Sequence, residues 1–279
     1  MTPLFETTEP PFVFHPGTAP LLISMPHVGT HVPPSVAQRL TPEGREVHDT
    51  DWHLPLLYAF AKDMGASILQ ATHSRYVIDL NRPPDGASLY PGQSVTGLCP
   101  VDTFADTPLY LAGQEPGEAE VAARREALWL PYHDQLAAEL TRIRAAHGVA
   151  LLWDAHSIRS VVPRFFDGRL PDLNLGTADG ASCAPALAQQ LLTIAQAASG
   201  YSAVLNGRFK GGYITRHYGQ PARKVHAVQL EMTQCSYMQE SMPFAYLPDV
   251  AAQVQPVLRA LLGALLSAAP AMKKGPANP

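Results

Sequence analysis

The 279-residue sequence predicts an α/β fold in which a mainly parallel sheet lies between two layers of helices. Short apolar runs rich in Val, Ile and Leu alternate with longer helical patterns, and this alternation is typical of parallel sheets. Hydrophobic residues form 46% of the chain, which is enough for a large core. Because no internal repeat or low-complexity linker interrupts the pattern, we expect one domain over residues 1–279.

The short apolar runs are predicted to be buried strands. They span residues 20–25, 67–71, 76–80, 149–153, 203–205 and 225–230. The helical patterns span residues 51–64, 117–147, 184–199 and 247–268. The apolar stretch 254–272 is interrupted by Gln255, Pro256 and Arg259, so we expect a packed amphipathic helix there and no membrane span.

The remaining segments are predicted to be loops and ends. Residues 83–116 contain many Pro, Gly, Thr and Asp residues, which indicates a long, functional loop. Residues 161–181 form a second predicted loop. We expect residues 1–18 to be an irregular arm and residues 270–279 to be a disordered tail.

Charge and cysteine content exclude several classes of protein. The net charge is −4 and no run of Lys and Arg occurs, which argues against a nucleic-acid partner. The three cysteines are odd in number and form no CxxC motif, so a reducing, cytoplasmic location is expected. The first 14 residues have neither the basic nor the apolar region of a signal peptide.

The segment from Arg75 to Arg82, Arg-Tyr-Val-Ile-Asp-Leu-Asn-Arg, is the most informative motif of the sequence. It places two arginines, an aspartate and an asparagine around a short apolar run. A guanidinium offers a planar fork of donors that matches the two oxygens of a carboxylate. The Asn81 amide adds a further donor. We therefore expect this segment to bind an acidic small molecule.

Three predicted strands end in residues that suit metal binding or acid–base chemistry. The first runs into His27, the fourth into Asp154 and His156, and the last into Glu231. Ligands bind at the carboxyl ends of strands in open α/β sheets. A lone histidine after an apolar run is more often structural, but buried charges at three strand ends favour a metal site. Two histidines and a carboxylate form a known catalytic zinc pattern.

Two further segments are compatible with either a structural or a functional role. The cluster from His48 to His53 contains Asp51, which favours a helix start and also suits a metal ligand. The segment 207–219 contains two adjacent glycines together with Lys210, Arg216 and His217. It is either an anion site or a basic surface loop.

In their order along the chain, these motifs resemble the N-formylglutamate amidohydrolase family over residues 12–268. The matching segments are Ser24 to Gly29, Thr50-Asp51, Ser74 to Arg82, Asp154 to Ser157, Gly211 to Tyr213 and Gln229 to Glu231. The segment from Gly211 to Gly219 resembles the branch that acts in histidine degradation. The family is distantly similar to zinc carboxypeptidases and aspartoacylases, which implies three α/β/α layers around a mixed sheet.

The resemblance implies a zinc site with His27 and His156 as ligands. The wider group has a glutamate three residues after its first ligand, whereas this chain has Thr30. The third ligand is therefore open between Asp51, which we prefer, and His53. The same set of nitrogen and oxygen ligands also accepts iron, cobalt or manganese.

The resemblance also implies the catalytic and substrate-binding residues. Glu231 matches the catalytic glutamate, and Arg75 matches the arginine that polarises the carbonyl. The residues expected to hold the substrate carboxylates are Asn81, Arg82, Arg216 and His217.

The implied activity is hydrolysis of N-formyl-L-glutamate to formate and L-glutamate, the last step of a histidine degradation pathway. One alternative is a deacylase of another N-acyl amino acid, such as an N-acyl-aspartate or a succinylated amino acid. A second alternative is a binding protein for acidic metabolites without catalytic activity. The oligomeric state is open.

Overall fold

One seven-stranded mixed sheet forms the centre of the computed structural model, which describes residues 4–87 and 96–273. The strands are β1 (Phe12–His15), β2 (Leu21–Met25), β3 (Ser67–Ala71), β4 (Ala150–Ile158), β5 (Leu173–Gly176), β6 (Ala203–Leu205) and β7 (Val225–Thr233). Their order across the sheet is β1-β3-β2-β4-β7-β5-β6. The four middle strands are parallel, whereas β1 and the β5–β6 pair run in the opposite direction. The predicted mainly parallel, mixed sheet is confirmed.

Helices cover both faces of this sheet. They are α1 (Pro34–Ala37), α2 (Leu54–Leu57), α3 (Glu118–Arg124), α4 (Leu130–His147), α5 (Pro185–Ala197), α6 (Tyr213–Tyr218) and α7 (Pro248–Lys273). Alternate side chains of the middle strands enter two separate apolar cores, as the twofold repeat of a strand requires. Leu21 and Ile23 of β2 pack with α2, α5 and α7 in one core, and Leu22 packs with α4 in the other. The α/β class with helices on both faces is therefore confirmed.

The longest helix, α7, is long and apolar enough by length and composition to cross a membrane. In this fold its apolar side is buried against α5 and β4 through residues such as Leu258, Leu261 and Leu265. The helix also continues to Lys273, so the predicted disordered tail is wrong for residues 270–273. The rest of that predicted tail, 274–279, lies outside the described residues.

The strand predictions hold for the middle of the sheet and fail at its edges and at one buried turn. Residues 76–80 form turns instead of a strand, with the Val77 N–H donating to the Ser74 carbonyl. β1 lies within the predicted irregular arm, and β5 lies within the predicted loop 161–181. β4 and β7 are longer than predicted, so His156 and Glu231 lie inside strands instead of after them.

The helix predictions are right in position and differ in detail. The predicted helix 51–64 is only α2 followed by a short 3₁₀ turn, Ala59–Ala61. The predicted helix 117–147 is α3 and α4 joined by one π-helical turn, Arg125–Trp129. The described parts of the predicted loop 83–116 contain neither helix nor strand, and residues 88–95 lie outside the described residues.

Candidate active site

His27, Asp51 and His156 meet at the carboxyl ends of the middle strands. His27 lies in the turn after β2, and the Asp51 N–H donates to its carbonyl at 3.0 Å. His156 lies on the neighbouring strand β4. The two Nδ1 atoms are 3.1 Å apart, and Asp51 Oδ2 lies 3.2 Å from Nδ1 of His156 and 3.7 Å from that of His27. All three side chains are buried, and their facing atoms form a candidate metal site.

The outer nitrogens of both histidines face buried carboxylates. Nε2 of His27 lies 2.7 Å from Asp79 Oδ1, and Nε2 of His156 lies 3.2 Å from Asp154 Oδ1. The latter oxygen is buried and has no hydrogen-bond partner within the described part of the chain. The His27–Asp79 contact holds a proton on Nε2 of His27 and directs the Nδ1 lone pair of that ring at the centre of the site. The donor set thus fits a divalent cation.

Burial and neighbouring charges shift the pKa values of the two histidines in opposite directions. Burial lowers the pKa of His27, and Arg75 lowers it further. Burial also opposes protonation of His156, but Asp154 and Asp51 raise its pKa well above the usual value. The pKa values of the two rings are therefore shifted in opposite directions, and Asp51 is a negative charge that a bound cation would balance. A divalent cation would compete with protons for the ring nitrogens that face the site.

The structure brings Asp51, and not His53, to the two histidines. His53 Nε2 lies 2.7 Å from the carbonyl oxygen of Phe244, and its ring packs beside Trp52 and Tyr246. His53 precedes α2 with a φ of 60°, a left-handed conformation that takes its side chain to this second environment. Of the two open alternatives for the third ligand, the geometry supports Asp51.

Glu231 lies directly opposite His156 in the pairing of β4 with β7. Both side chains line the same cleft. Burial raises the pKa of Glu231 to about 8, a shift that His156 partly offsets. A cation bound beside it would lower this pKa again, because a nearby positive charge favours the carboxylate. A carboxyl group tuned in this way suits a general base.

Arg75 and Arg82 also line the cleft, and both lie near the buried carboxylate of Asp79. Arg75 Nη2 donates to Asp79 Oδ2 at 2.7 Å, and its guanidinium lies 4.6 Å from the centre of the Phe104 ring. Arg82 Nη2 lies 3.8 Å from the same oxygen. Arg82 also donates from Nε to the Thr96 carbonyl and from Nη2 to the Thr96 hydroxyl.

Asn81 lines the cleft and also ties several segments together. Its Oδ1 accepts a hydrogen bond from the Ile214 N–H at the start of α6, and its Nδ2 lies 3.1 Å from His156 Nε2. A Cβ on Gly212 would lie only 2.3 Å from the same Nδ2. The asparagine therefore orients His156 in addition to facing the cleft, a role that the sequence alone did not indicate.

Arg216 and His217 are the residues that the sequence predicts to hold a second substrate carboxylate. Among the described residues, neither Arg216 nor His217 lines the cleft. Arg216 donates from Nε to the Gly211 carbonyl, and the exposed His217 ring stacks on Tyr213. Arg208 of the same segment does line the cleft. Arg208 lies in the segment 207–219 that the sequence analysis singled out, but the sequence offered no means of choosing among the basic residues of this segment.

Fold and site together define an α/β protein in which a buried group of two histidines and one aspartate could hold a metal ion. The chain belongs to the N-formylglutamate amidohydrolase family, whose sequence model matches residues 19–238. The N-formylglutamate deformylase of Pseudomonas aeruginosa is 57% identical over 254 residues, 91% of this chain and 95% of that protein. The N-formylglutamate deformylase of Pseudomonas putida is 55% identical over the same shares of the two chains.

Solved structures agree with this assignment. The crystal structure of N-formylglutamate amidohydrolase from Ralstonia eutropha JMP134 has a TM-score of 0.79 and 25% sequence identity, covering 95% of this chain and 99% of that one. A gene product of Agrobacterium tumefaciens has a TM-score of 0.71 and 20% identity, covering 93% of this chain and 96% of that one. The second similarity shows the fold alone.

Proposed function

We propose that this protein hydrolyses N-formyl-L-glutamate to formate and L-glutamate at a metal centre formed by His27, Asp51 and His156. The observation that carries the proposal is a single cleft that contains the two histidines, Glu231 and several arginines. The two Pseudomonas relatives, named N-formylglutamate deformylases and more than half identical to this chain, support the same substrate.

The three candidate ligands offer two imidazole nitrogens and one carboxylate oxygen, a donor set that suits zinc and also iron, cobalt or manganese. A divalent ion held there supplies Lewis-acid chemistry and makes water acidic enough to attack a carbonyl near neutral pH. Asp79 then keeps the imidazole of His27 in the tautomer that presents Nδ1 to the site.

Glu231 is proposed as the general base of the reaction. Its carboxylate accepts a proton from the water that attacks the formyl carbon, and the carbonyl oxygen becomes an oxyanion. Glu231 then returns the proton to the substrate nitrogen as the carbon–nitrogen bond breaks, which releases formate and glutamate. Each turnover consumes one water molecule and leaves Glu231 ionised, as it began.

Arg75 is proposed to stabilise the oxyanion, because its guanidinium is fixed by Asp79 and lies in the cleft. A donor that is held in place before reaction contributes more than one that must reorganise. Arg82, held by Thr96, is proposed to bind one substrate carboxylate together with Asn81. The binding of a dicarboxylate by a chain of net charge −4 thus rests on positive charge concentrated in one cleft.

The reaction is proposed to be the last step of histidine degradation. A cytoplasmic location is proposed with it, since the three cysteines form no disulfide in the described structure. A single functional domain over the whole chain also stays a proposal.

Comparison of acyl groups and amino acids tests the proposed substrate. Purified protein should release formate from N-formyl-L-glutamate with a kcat/KM at least about tenfold above that for N-acetyl-L-glutamate, N-acetyl-L-aspartate or N-succinyl-L-glutamate. A preference for a larger acyl group would instead indicate the alternative deacylase. Turnover of none of them by protein loaded with metal would indicate a binding protein.

A further inference from the structure

We propose that Arg208 binds the second carboxylate of the substrate, the one at the end of the glutamate side chain. This inference rests on the proposed function and names the residue that selects a dicarboxylate. In this proposal Arg208 takes the role that the sequence analysis assigned to Arg216 and His217 together.

Charge balance in the cleft calls for a further cation. A carboxylate that leaves water must meet a positive partner to offset its desolvation. Arg75 and Arg82 approach the same Asp79 oxygen, at 2.7 and 3.8 Å, so part of their charge is balanced within the protein. With Arg75 directed to the oxyanion, Arg82 accounts for one carboxylate. The third arginine that lines the cleft within the described residues is Arg208.

The surroundings of Arg208 hold its guanidinium in one orientation. Nε donates to the Phe165 carbonyl at 2.8 Å. The guanidinium carbon lies 5.4 Å from the centre of the Phe165 ring and 5.5 Å from that of Phe209. A planar fork that is already oriented loses less entropy when it binds a carboxylate. The neighbouring aromatic rings also exclude water and thereby strengthen the ionic contact.

The apolar wall beside Arg208 suits the part of the substrate that lies between its two carboxylates. Ile158, Phe165 and Phe209 line the cleft together with Arg208. Glutamate carries two methylene groups between its α-carbon and its terminal carboxylate, and these groups need an apolar surface. Arg208 and the phenylalanines come from loops separate from the 75–82 segment, so the two carboxylates would be held by different parts of the chain.

The other basic residues of the same segment are directed elsewhere. Lys210 Nζ forms an ion pair with Asp179 at 3.1 Å, and neither Lys210 nor Arg216 is among the described residues that line the cleft. The position of Arg208 in the cleft therefore distinguishes it from its neighbours in sequence.

The test compares N-formyl-L-glutamate with N-formyl-L-glutamine, which has almost the same shape but lacks the second charge. The wild type should prefer the glutamate substrate. In Arg208→Gln, kcat/KM for N-formyl-L-glutamate should fall at least about 30-fold. This is the smallest effect expected when one partner of a buried charged pair is removed. kcat/KM for N-formyl-L-glutamine should change far less, so the preference collapses. Arg208→Lys, which keeps the charge, should recover part of it.

Arg259→Gln is the matched control. Arg259 lies on α7, outside the cleft, and its guanidinium carbon is 4.3 Å from the centre of the Phe60 ring. This substitution should leave the ratio of the two substrates unchanged. A folding defect would lower the activity towards both substrates together and would leave the ratio of their kcat/KM values unchanged. A collapse of that ratio therefore indicates a loss of substrate binding and not a folding defect. The assignment is overturned if Arg208→Gln and Arg208→Lys both keep the wild-type ratio. Failure of the wild type to cleave either substrate would refute the proposed function itself.

Discussion

Asp79 connects the candidate metal site to the arginines of the cleft through one buried carboxylate. One oxygen faces Nε2 of His27, and the other accepts a hydrogen bond from Arg75. Burial alone would raise the pKa of Asp79, but the neighbouring cations, with Arg82 the largest contributor, hold it well below its usual value. The charge that orients a candidate metal ligand therefore also fixes the proposed oxyanion donor.

Glu231→Gln should remove most of the turnover while metal and substrate binding remain. Glutamine has almost the same shape but cannot accept the proton, so kcat should fall about 10²- to 10⁴-fold. Steady-state kinetics measures the loss, and metal content and N-formyl-L-glutamate affinity serve as controls. Turnover near the wild-type rate would show that another group is the base.

Asp51→Ala and His53→Ala form a pair that decides the third ligand. Asp51→Ala should weaken zinc binding by more than about 100-fold. Mutation of a residue that only hydrogen-bonds to a metal ligand already lowers the metal affinity about 10- to 100-fold, and loss of a ligand itself should cost more. His53→Ala should keep zinc, because its Nε2 faces the Phe244 carbonyl instead of the cluster. Competition with a zinc chelator measures both affinities. The reverse pattern would assign the ligand to His53.

At the scale of elements, the middle parallel strands were predictable, because each is a run of Val, Ile and Leu residues that is visible in the sequence. β1 and β5 have four residues each, and β5 contains Asn174 between two leucines, so only pairing with neighbouring strands makes them strands. Residues 76–80 show the opposite error. Val77 and Ile78 are buried in a turn, and burial alone does not distinguish a turn from a strand.

Gly212 lies where α6 meets the 75–82 segment, and its substitution should disturb both. A Cβ there would lie 2.3 Å from Asn81 Nδ2, so Gly212→Ala should cost about 1–3 kcal/mol of unfolding free energy and should lower kcat/KM. Gly263 on α7 has no heavy atom within 4 Å of such a Cβ. Gly263→Ala should therefore stabilise the protein by about 0.5–1 kcal/mol at unchanged activity.

Urea unfolding and steady-state kinetics measure both glycine variants. Equal effects of the two substitutions on activity would contradict the proposed close approach of Gly212 to Asn81.

For the whole molecule, the cluster of His27, His156 and Glu231 could be predicted because parallel strands place their carboxyl ends at one edge of the sheet. The choice between Asp51 and His53 and the proposed choice of Arg208 over Arg216 could not be predicted. Both depend on the direction of side chains in loops, which is set by tertiary contacts such as those to Phe244 and Phe165.

Buried neutral histidines should make the metal-free protein sensitive to mild acid. Burial lowers the pKa of His133 and of His73 to about 4, from a usual value of 6.5. The unfolded chain therefore binds these protons first, and stability should fall as the pH drops from about 6.5 towards 4. Urea midpoints of chelated protein across this range measure the slope, which should be smaller in His133→Gln. An unchanged slope in that variant would contradict the prediction.

The central claim is that N-formyl-L-glutamate is hydrolysed at the His27, Asp51 and His156 centre with a bound metal. Formate release by purified protein, before and after chelation and again after zinc addition, tests it most directly. We expect chelation to abolish turnover and about one equivalent of zinc to restore it. Undiminished turnover by protein that elemental analysis shows to be free of metal would contradict the account.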